Sequence, residues 1–192
     1  TWSYMPGTVG RSEQQNYTTS KSNVNVENGN LVLSVTKREK EESNPRKPNG
    51  RTIKYDSGFI NTSGKKDFLY GRIEMKAKLP KGKGAFPAFW LMGTSYGWPG
   101  GGEIDIMELI GAPTTERAEN GETDPTDNAR QSNQIIYGTP HFYYINGDVD
   151  KDGSYDPYEL GGNAKIEDDF WNEYHIFGID WSPERIDWYL DG

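Results

Sequence analysis

Three carboxylates, Glu103, Asp105 and Glu108, fall within six residues in the run GGEIDIMELIG at 101–111. Carboxylates held close together cannot all ionise at neutral pH, so one keeps its proton. A charged carboxylate beside a protonated one is the pairing that cleaves glycosidic bonds: one attacks or assists, the other protonates the leaving oxygen. The alternative uses of the same acids are a Ca²⁺ site or an exposed acidic strand.

The run begins as a half-buried strand, with Glu103 and Asp105 on one face and Ile104 and Ile106 on the other. Met107 and Glu108 then break the alternation. One extra residue inserted around Ile106–Met107, a β-bulge, returns Glu108 to the face of Glu103 and Asp105. Leu109 then joins the apolar face. At a strand rise of ~3.3 Å per residue, Glu103 and Glu108 sit ~13 Å apart at Cα. Long side chains on a concave sheet can shorten that toward the ~5–5.5 Å carboxyl spacing of a retaining glycosidase.

Such a strand needs a sheet to hold it, and period-2 alternation is the dominant pattern of the chain. In RIEMKAKL, Ile73, Met75, Ala77 and Leu79 face one way and Arg72, Glu74, Lys76 and Lys78 the other. NVENGNLVLSV reads as two strands joined by an Asn-Gly turn, the strongest short hairpin signal. Ile53–Asn61, Ala85–Met92, Glu103–Ile110, Gln134–Thr139, Tyr174–Trp181 and Arg185–Leu190 read as further strands. Lys40–Gly50 reads as a polar loop, as does Pro113–Ser132, and the mixed charges between Lys37 and Lys54 read as solvated. No long stretch shows helical period. Many short strands with turn signals between them predict a sandwich or jelly roll. RIDWYLDG ends in a turn pair with no return strand, so the chain is expected to be truncated or to need a partner strand.

The composition limits the partners. The chain of 192 residues has a formal net charge of −8, which disfavours nucleic acid. It has no cysteine, which excludes disulfides, thiolate metal sites and Cys nucleophiles. No apolar run approaches the ~20 residues of a membrane helix. Six Trp and twelve Tyr supply ring faces on which sugars stack.

YGRIEMKAKLPKGKGAFPAFWLMG, GWPGGGEIDIMELIG and DDFWNEYHIFGIDWSPERIDWYLDG together resemble glycoside hydrolase family 16, in its bacterial laminarinase-like form. The resemblance runs from Glu13 to Gly192. It implies a concanavalin-like β-jelly roll sandwich of two curved antiparallel sheets, here lacking terminal strands, with residues 1–192 a single catalytic domain truncated at both ends. It implies Glu103 as nucleophile, Glu108 as general acid/base and Asp105 as the assisting residue. The form with the extra residue, E-x-D-x-x-E, is typical of laminarinases, agarases and carrageenases.

The same resemblance implies Trp90 and Trp98 as sugar platforms; core packing is the plain alternative for both. It places Asn61 and Arg72 at sugar-binding positions, with a salt bridge to Glu74 or another acid as the alternative for Arg72. Glu13 falls where an acid reaches a sugar hydroxyl. His141 falls where a cleft histidine contacts the acid/base or a sugar, unless it is a buried, satisfied histidine. His175, in an alternating strand, reads as structural.

A separate pattern, DVDKDGSYDPYE, fits the Ca²⁺ loop D-x-D-x-D-G-x₅-E, with Asp148, Asp150, Asp152, Asp156 and Glu159 as oxygen ligands. The alternative is a solvated acidic loop at one rim of the cleft. The expectation is thus a secreted, retaining endo-β-glucanase acting on β-1,3-glucan or mixed-linkage β-1,3-1,4-glucan. It needs no cofactor for its chemistry, carries at most a structural calcium, binds neither nucleic acid nor membrane, and is a monomer if full length. A galactanase of agarase or carrageenase type and a non-catalytic, lectin-like domain are the competing readings.

Overall fold

The computed structural model describes residues 2–8, 13–43, 52–112, 132–142 and 161–192. Among these, every regular element is a strand, and no helix is long and apolar enough to cross a membrane. The chain divides into two compact units, Thr1–Phe68 and Leu69–Gly192.

The first unit holds β1 (Ser3–Tyr4), β2 (Gln15–Tyr17), β3 (Val24–Glu27), β4 (Asn30–Leu33), β5 (Thr36–Ser43), β6 (Thr52–Ser57) and β7 (Ile60–Asn61). β3 and β4 form the predicted hairpin. Its turn residues Asn28 and Gly29 have φ of 50° and 80°, both in the left-handed region that a two-residue hairpin turn requires. β2, β6 and β5 form a three-stranded sheet in which β2 runs parallel to β6. The buried amide of Asn23 ties these pieces together. Its Nδ2 donates to Ser34 O, Thr36 Oγ1 and Asp56 O at 3.0–3.1 Å, and its Oδ1 accepts from Thr18 Oγ1.

Two expectations change in this unit. The charged segment expected to be a solvated loop contains β5, which continues to Ser43. Ion pairs substitute for an apolar face: Arg38 pairs with Glu42 within β5, and across to β6 Arg38 pairs with Asp56 and Glu41 with Lys54. The strand predicted over Ile53–Asn61 is two strands, β6 and β7. The chain breaks at Gly58, where a Cβ would lie 2.4 Å from Asn23 O.

The second unit holds β8 (Gly71–Ala77), β9 (Ala88–Met92), β10 (Glu103–Glu108), β11 (Ile135–His141), β12 (Gly162–Lys165), β13 (His175–Trp181) and β14 (Ile186–Leu190). One sheet has the order β12-β11-β10-β9 and the other β14-β13-β8, all antiparallel. β8 keeps the alternation expected from its sequence: Ile73, Met75 and Ala77 are half-buried, and Arg72, Glu74 and Lys76 are exposed. Leu79, Met107, Leu109, Ile136, Phe170 and Phe177 make one apolar cluster that joins side chains from both sheets. Each of these six is at most 6% exposed. Removing such side chains from water, at ~25 cal/mol per Å² of apolar surface, is what fixes the back of the acidic strand.

Candidate active site

β10 lies between β9 and β11, so its backbone is held on both edges. Glu103, Ile104 and Asp105 pair in register with Met92, Leu91 and Trp90 of β9. The ladder then passes over Ile106 and resumes with Met107 opposite Phe89 and Glu108 opposite Ala88. Against β11, Asp105 pairs with Thr139 and Glu108 with Tyr137, two residues on one strand answering three on the other. This is the predicted one-residue bulge, with Ile106 as the residue the ladder skips. Ile106 and Met107 are both buried, at 2% and 1% exposure, and Met107 enters the core cluster. The two apolar side chains anchor the bulge, and Glu108 returns to the face of Glu103 and Asp105.

Asp105 is the buried member of the three, only 3% exposed. Its Oδ2 lies 2.8 Å from Nε2 of His141, and its carboxyl also hydrogen-bonds that of Glu103. Burial first, then the charges of Glu108 and Glu103 and the Glu103 hydrogen bond, push its pKa up to about 8. The middle carboxyl therefore holds its proton at neutral pH. With that proton directed at Glu103, Oδ2 of Asp105 is left to accept from His141 Nε2–H.

Trp98 reaches Glu103 from the loop between β9 and β10. Its indole Nε1 donates to Glu103 Oε2 at 2.5 Å, and its ring centroid lies 6.0 Å from that of His141. The loop closes on itself because its glycines carry no side chain. Gly93 N donates to Gly102 O, and a Cβ on Gly93 would sit 1.8 Å from Gly101 O. Trp98 remains 60% exposed, and with Tyr96, Gly97 and Gly100 it lines an open recess of about 440 Å³. Trp90, opposite Asp105, shares the face of the carboxylates.

The remaining predicted residues have local settings of their own. Arg72 pairs with Glu74 at 3.1 Å and Asp180 at 3.5 Å, and its guanidinium lies 4.2 Å from the centroid of the Tyr189 ring. In the first unit, Asn61 pairs with Ser3, donates to Met5 Sδ and accepts from Ser63 N. Glu13 precedes β2; the Tyr17 pKa is raised by burial first, with the Glu13 charge adding to it. His175 is structural, as expected: its Nδ1 bonds Asp191 Oδ2 at 2.8 Å and its ring packs on Phe170. Asp148, Asp150, Asp152, Asp156 and Glu159 lie outside the described residues. Among the described residues, no group of three or more His, Cys, Asp or Glu is placed to hold a metal ion.

Trp188 is a contributor that residue type and spacing do not single out. Its Nε1 donates to the backbone oxygen of Asp105 at 2.9 Å. The alternation of RIDWYL does place Trp188 on the core face, but its partner depends on tertiary packing.

Known proteins share this arrangement of strands. The chain superposes on the laminarinase catalytic domain of Thermotoga maritima MSB8 with a TM-score of 0.72 and 32% identity, covering 100% of this chain and 67% of that one. At that level of identity the shared fold is the jelly roll of the laminarinases. Over 188 residues it is 35% identical to a glucan endo-1,3-beta-glucosidase of Cryptopygus antarcticus, covering 95% of this chain and 57% of that protein. Over 190 residues it is 34% identical to glucan endo-1,3-beta-glucosidase A1 of Niallia circulans, covering 95% and 23%. The chain thus spans between about a quarter and just over half of these two curated relatives. The sequence pattern of the glycosyl hydrolases family 16 matches residues 11–192, taking in all three carboxylates of β10, and the chain belongs to that family.

Proposed function

We propose that this chain carries the catalytic centre of a retaining endo-β-glucanase that hydrolyses β-1,3-glucan or mixed-linkage β-1,3-1,4-glucan. The observation that carries the proposal is the bulge in β10, which brings Glu103, Asp105 and Glu108 to one face with an indole N–H on Glu103. The endo-1,3-glucosidase relatives support the choice of glucan.

In the first step an oxygen of Glu103 bonds to the anomeric carbon as the bond from that carbon to the leaving oxygen breaks. The leaving oxygen takes the proton of Glu108. In the second step Glu108 takes a proton from water, whose oxygen displaces Glu103 and restores the starting configuration. Asp105, protonated, donates to the Glu103 carboxylate from one side while Trp98 donates from the other. These two preset donors hold the nucleophile in its attacking geometry and compensate its charge. The aromatic faces of Trp98 and Trp90 line the approach of the sugar chain.

We also propose secretion to the extracellular, cell-surface or periplasmic space, as degradation of a polymer too large to enter a cell requires, and Ca²⁺ binding by the loop 148–159. Thermal melting with Ca²⁺ and with a chelator tests the second: the proposal expects a higher midpoint with Ca²⁺.

Incubation with laminarin, lichenan, agarose and carrageenan, followed by sizing of the products, tests the activity. Oligosaccharides from laminarin or lichenan are expected. Release from agarose or carrageenan alone would make the chain a galactanase. Glycan binding without any release would make it a binding domain.

A further inference from the structure

We propose that Trp188 is a positioning residue for the general acid/base, setting the direction of Glu108 through the bulge; the proposal rests on the role given to Glu108 above. Trp188 pairs with Ile179, which is fully buried, while Tyr189 pairs with Gly178. Alternation therefore places the indole on the core face of β14, behind the catalytic sheet.

The indole reaches β10 through a gap that one glycine leaves. Tyr137 and Thr139 of β11 pair with Glu108 and Asp105, and Gly138 between them faces the opposite, core side. A Cβ at Gly138 would lie 2.4 Å from Trp188 Cδ1 and 2.5 Å from Nε1, so any side chain there would expel the ring. With glycine in place, Nε1 donates to Asp105 O at 2.9 Å.

That carbonyl has a particular position. Asp105 is the last residue of β10 in unbroken register with both neighbours, Trp90 and Thr139. Its carbonyl belongs to the peptide that leads into the bulge, where the ladder is disrupted and no longer dictates the tilt of the peptide plane. A donor fixed from another strand supplies that constraint. The tilt of the plane sets where Ile106 and Met107 enter the core, and hence the direction in which Glu108 leaves the strand. Trp188 lies on the core side and acts on the peptide that follows Asp105, while the unbroken ladders on both edges hold Glu103 and Asp105 themselves, so its effect falls on the acid/base.

Leaving-group chemistry tests this. Trp188→Phe keeps an aromatic ring against Gly138 and deletes the N–H. Laminarin has a poor alkoxide leaving group and needs the proton of Glu108; 2,4-dinitrophenyl β-laminaribioside leaves without it. A displacement of about 1 Å can cost ~100-fold in rate, so kcat/KM on laminarin should fall by about 10- to 100-fold, against less than about 3-fold on the aryl glycoside. Gly138→Ala, which pushes the indole away while retaining it, should give the same selective loss, and it carries the test if Trp188→Phe does not fold. An equal loss on both substrates, or no loss, in the variant that folds overturns the proposal. Failure of the unaltered protein to cleave either substrate would instead overturn the proposed activity.

Discussion

Nε2 of His141 stands 2.8 Å from Oδ2 of Asp105, on the side of that carboxyl away from the sandwich core. The two residues come from adjacent strands, β11 and β10, and the imidazole caps the one carboxylate of the triplet that is buried. Burial, then the charges of Glu108 and Glu103, favours a neutral Asp105, with its proton toward Glu103.

Stability should report this directly. The pKa of Asp105 is pushed up to about 8 in the folded chain, from an ordinary value of 3.8. Between those two values the unfolded chain binds fewer protons than the folded one at this site, so its contribution to stability falls as pH rises. The contribution is fully present below 3.8 and is lost as pH passes through about 8. Asp105→Asn mimics the protonated carboxyl and does not titrate. Melting temperatures of the Asn variant should therefore decline less between pH 4 and 8 than those of the unaltered protein. Parallel declines would refute the assignment of the proton.

Trp98 carries two roles that substitution can separate. Its N–H bonds Glu103, and its ring is exposed to the approaching sugar. A hydrogen bond to a charged group contributes ~1.5–3 kcal/mol, so Trp98→Phe should lower kcat by about 10- to 100-fold with KM little changed. Trp98→Ala should raise KM as well. If Trp98→Phe changes KM alone, the indole N–H has no part in holding the nucleophile.

Elements whose pattern is local are legible in the amino-acid sequence. The alternation of RIEMKAKL marks β8, and the misfit at Met107–Glu108 marks the bulge, because a one-residue slip in facing leaves its trace in the order of residue types. The skipped residue is less legible: Ile106 and Met107 are both apolar, and only ladder pairing separates them. β5 is hidden because its cohesion lies in ion pairs with β6, partners distant in sequence. The partner of His141 and the reach of Trp188 are hidden for the same reason. Both depend on which strands become neighbours, which residue types and spacing do not specify.

The first unit offers a test of its own stability. Asn23 is 2% exposed and serves three acceptors and one donor through a single amide. Asn23→Ala deletes all four of these bonds from a buried position, at a cost of about 1–3 kcal/mol. Urea unfolding should show a lower midpoint with the slope retained. A change under ~0.5 kcal/mol would mean that water or rearrangement replaces the amide at no cost.

The roles of Glu103 and Glu108 can be separated by the stereochemistry of an azide product. Glu103→Gln should fold and lose turnover on laminarin by several orders of magnitude, and near-normal activity would remove it as nucleophile. With Glu108→Ala, the first step still proceeds on a dinitrophenyl glycoside, because that leaving group needs no proton. The glycosyl-enzyme on Glu103 then accumulates, and azide, small and not repelled by a carboxylate at 108, displaces it from the β face. The product is a β-glycosyl azide. With Glu103→Ala no glycosyl-enzyme forms, and azide enters the space the carboxylate vacated, attacking from the α face to give an α-glycosyl azide. Opposite configurations from the two variants assign the nucleophile to Glu103 and the acid/base to Glu108. The reverse pattern would exchange the roles, and α-azide from both would exclude a covalent intermediate.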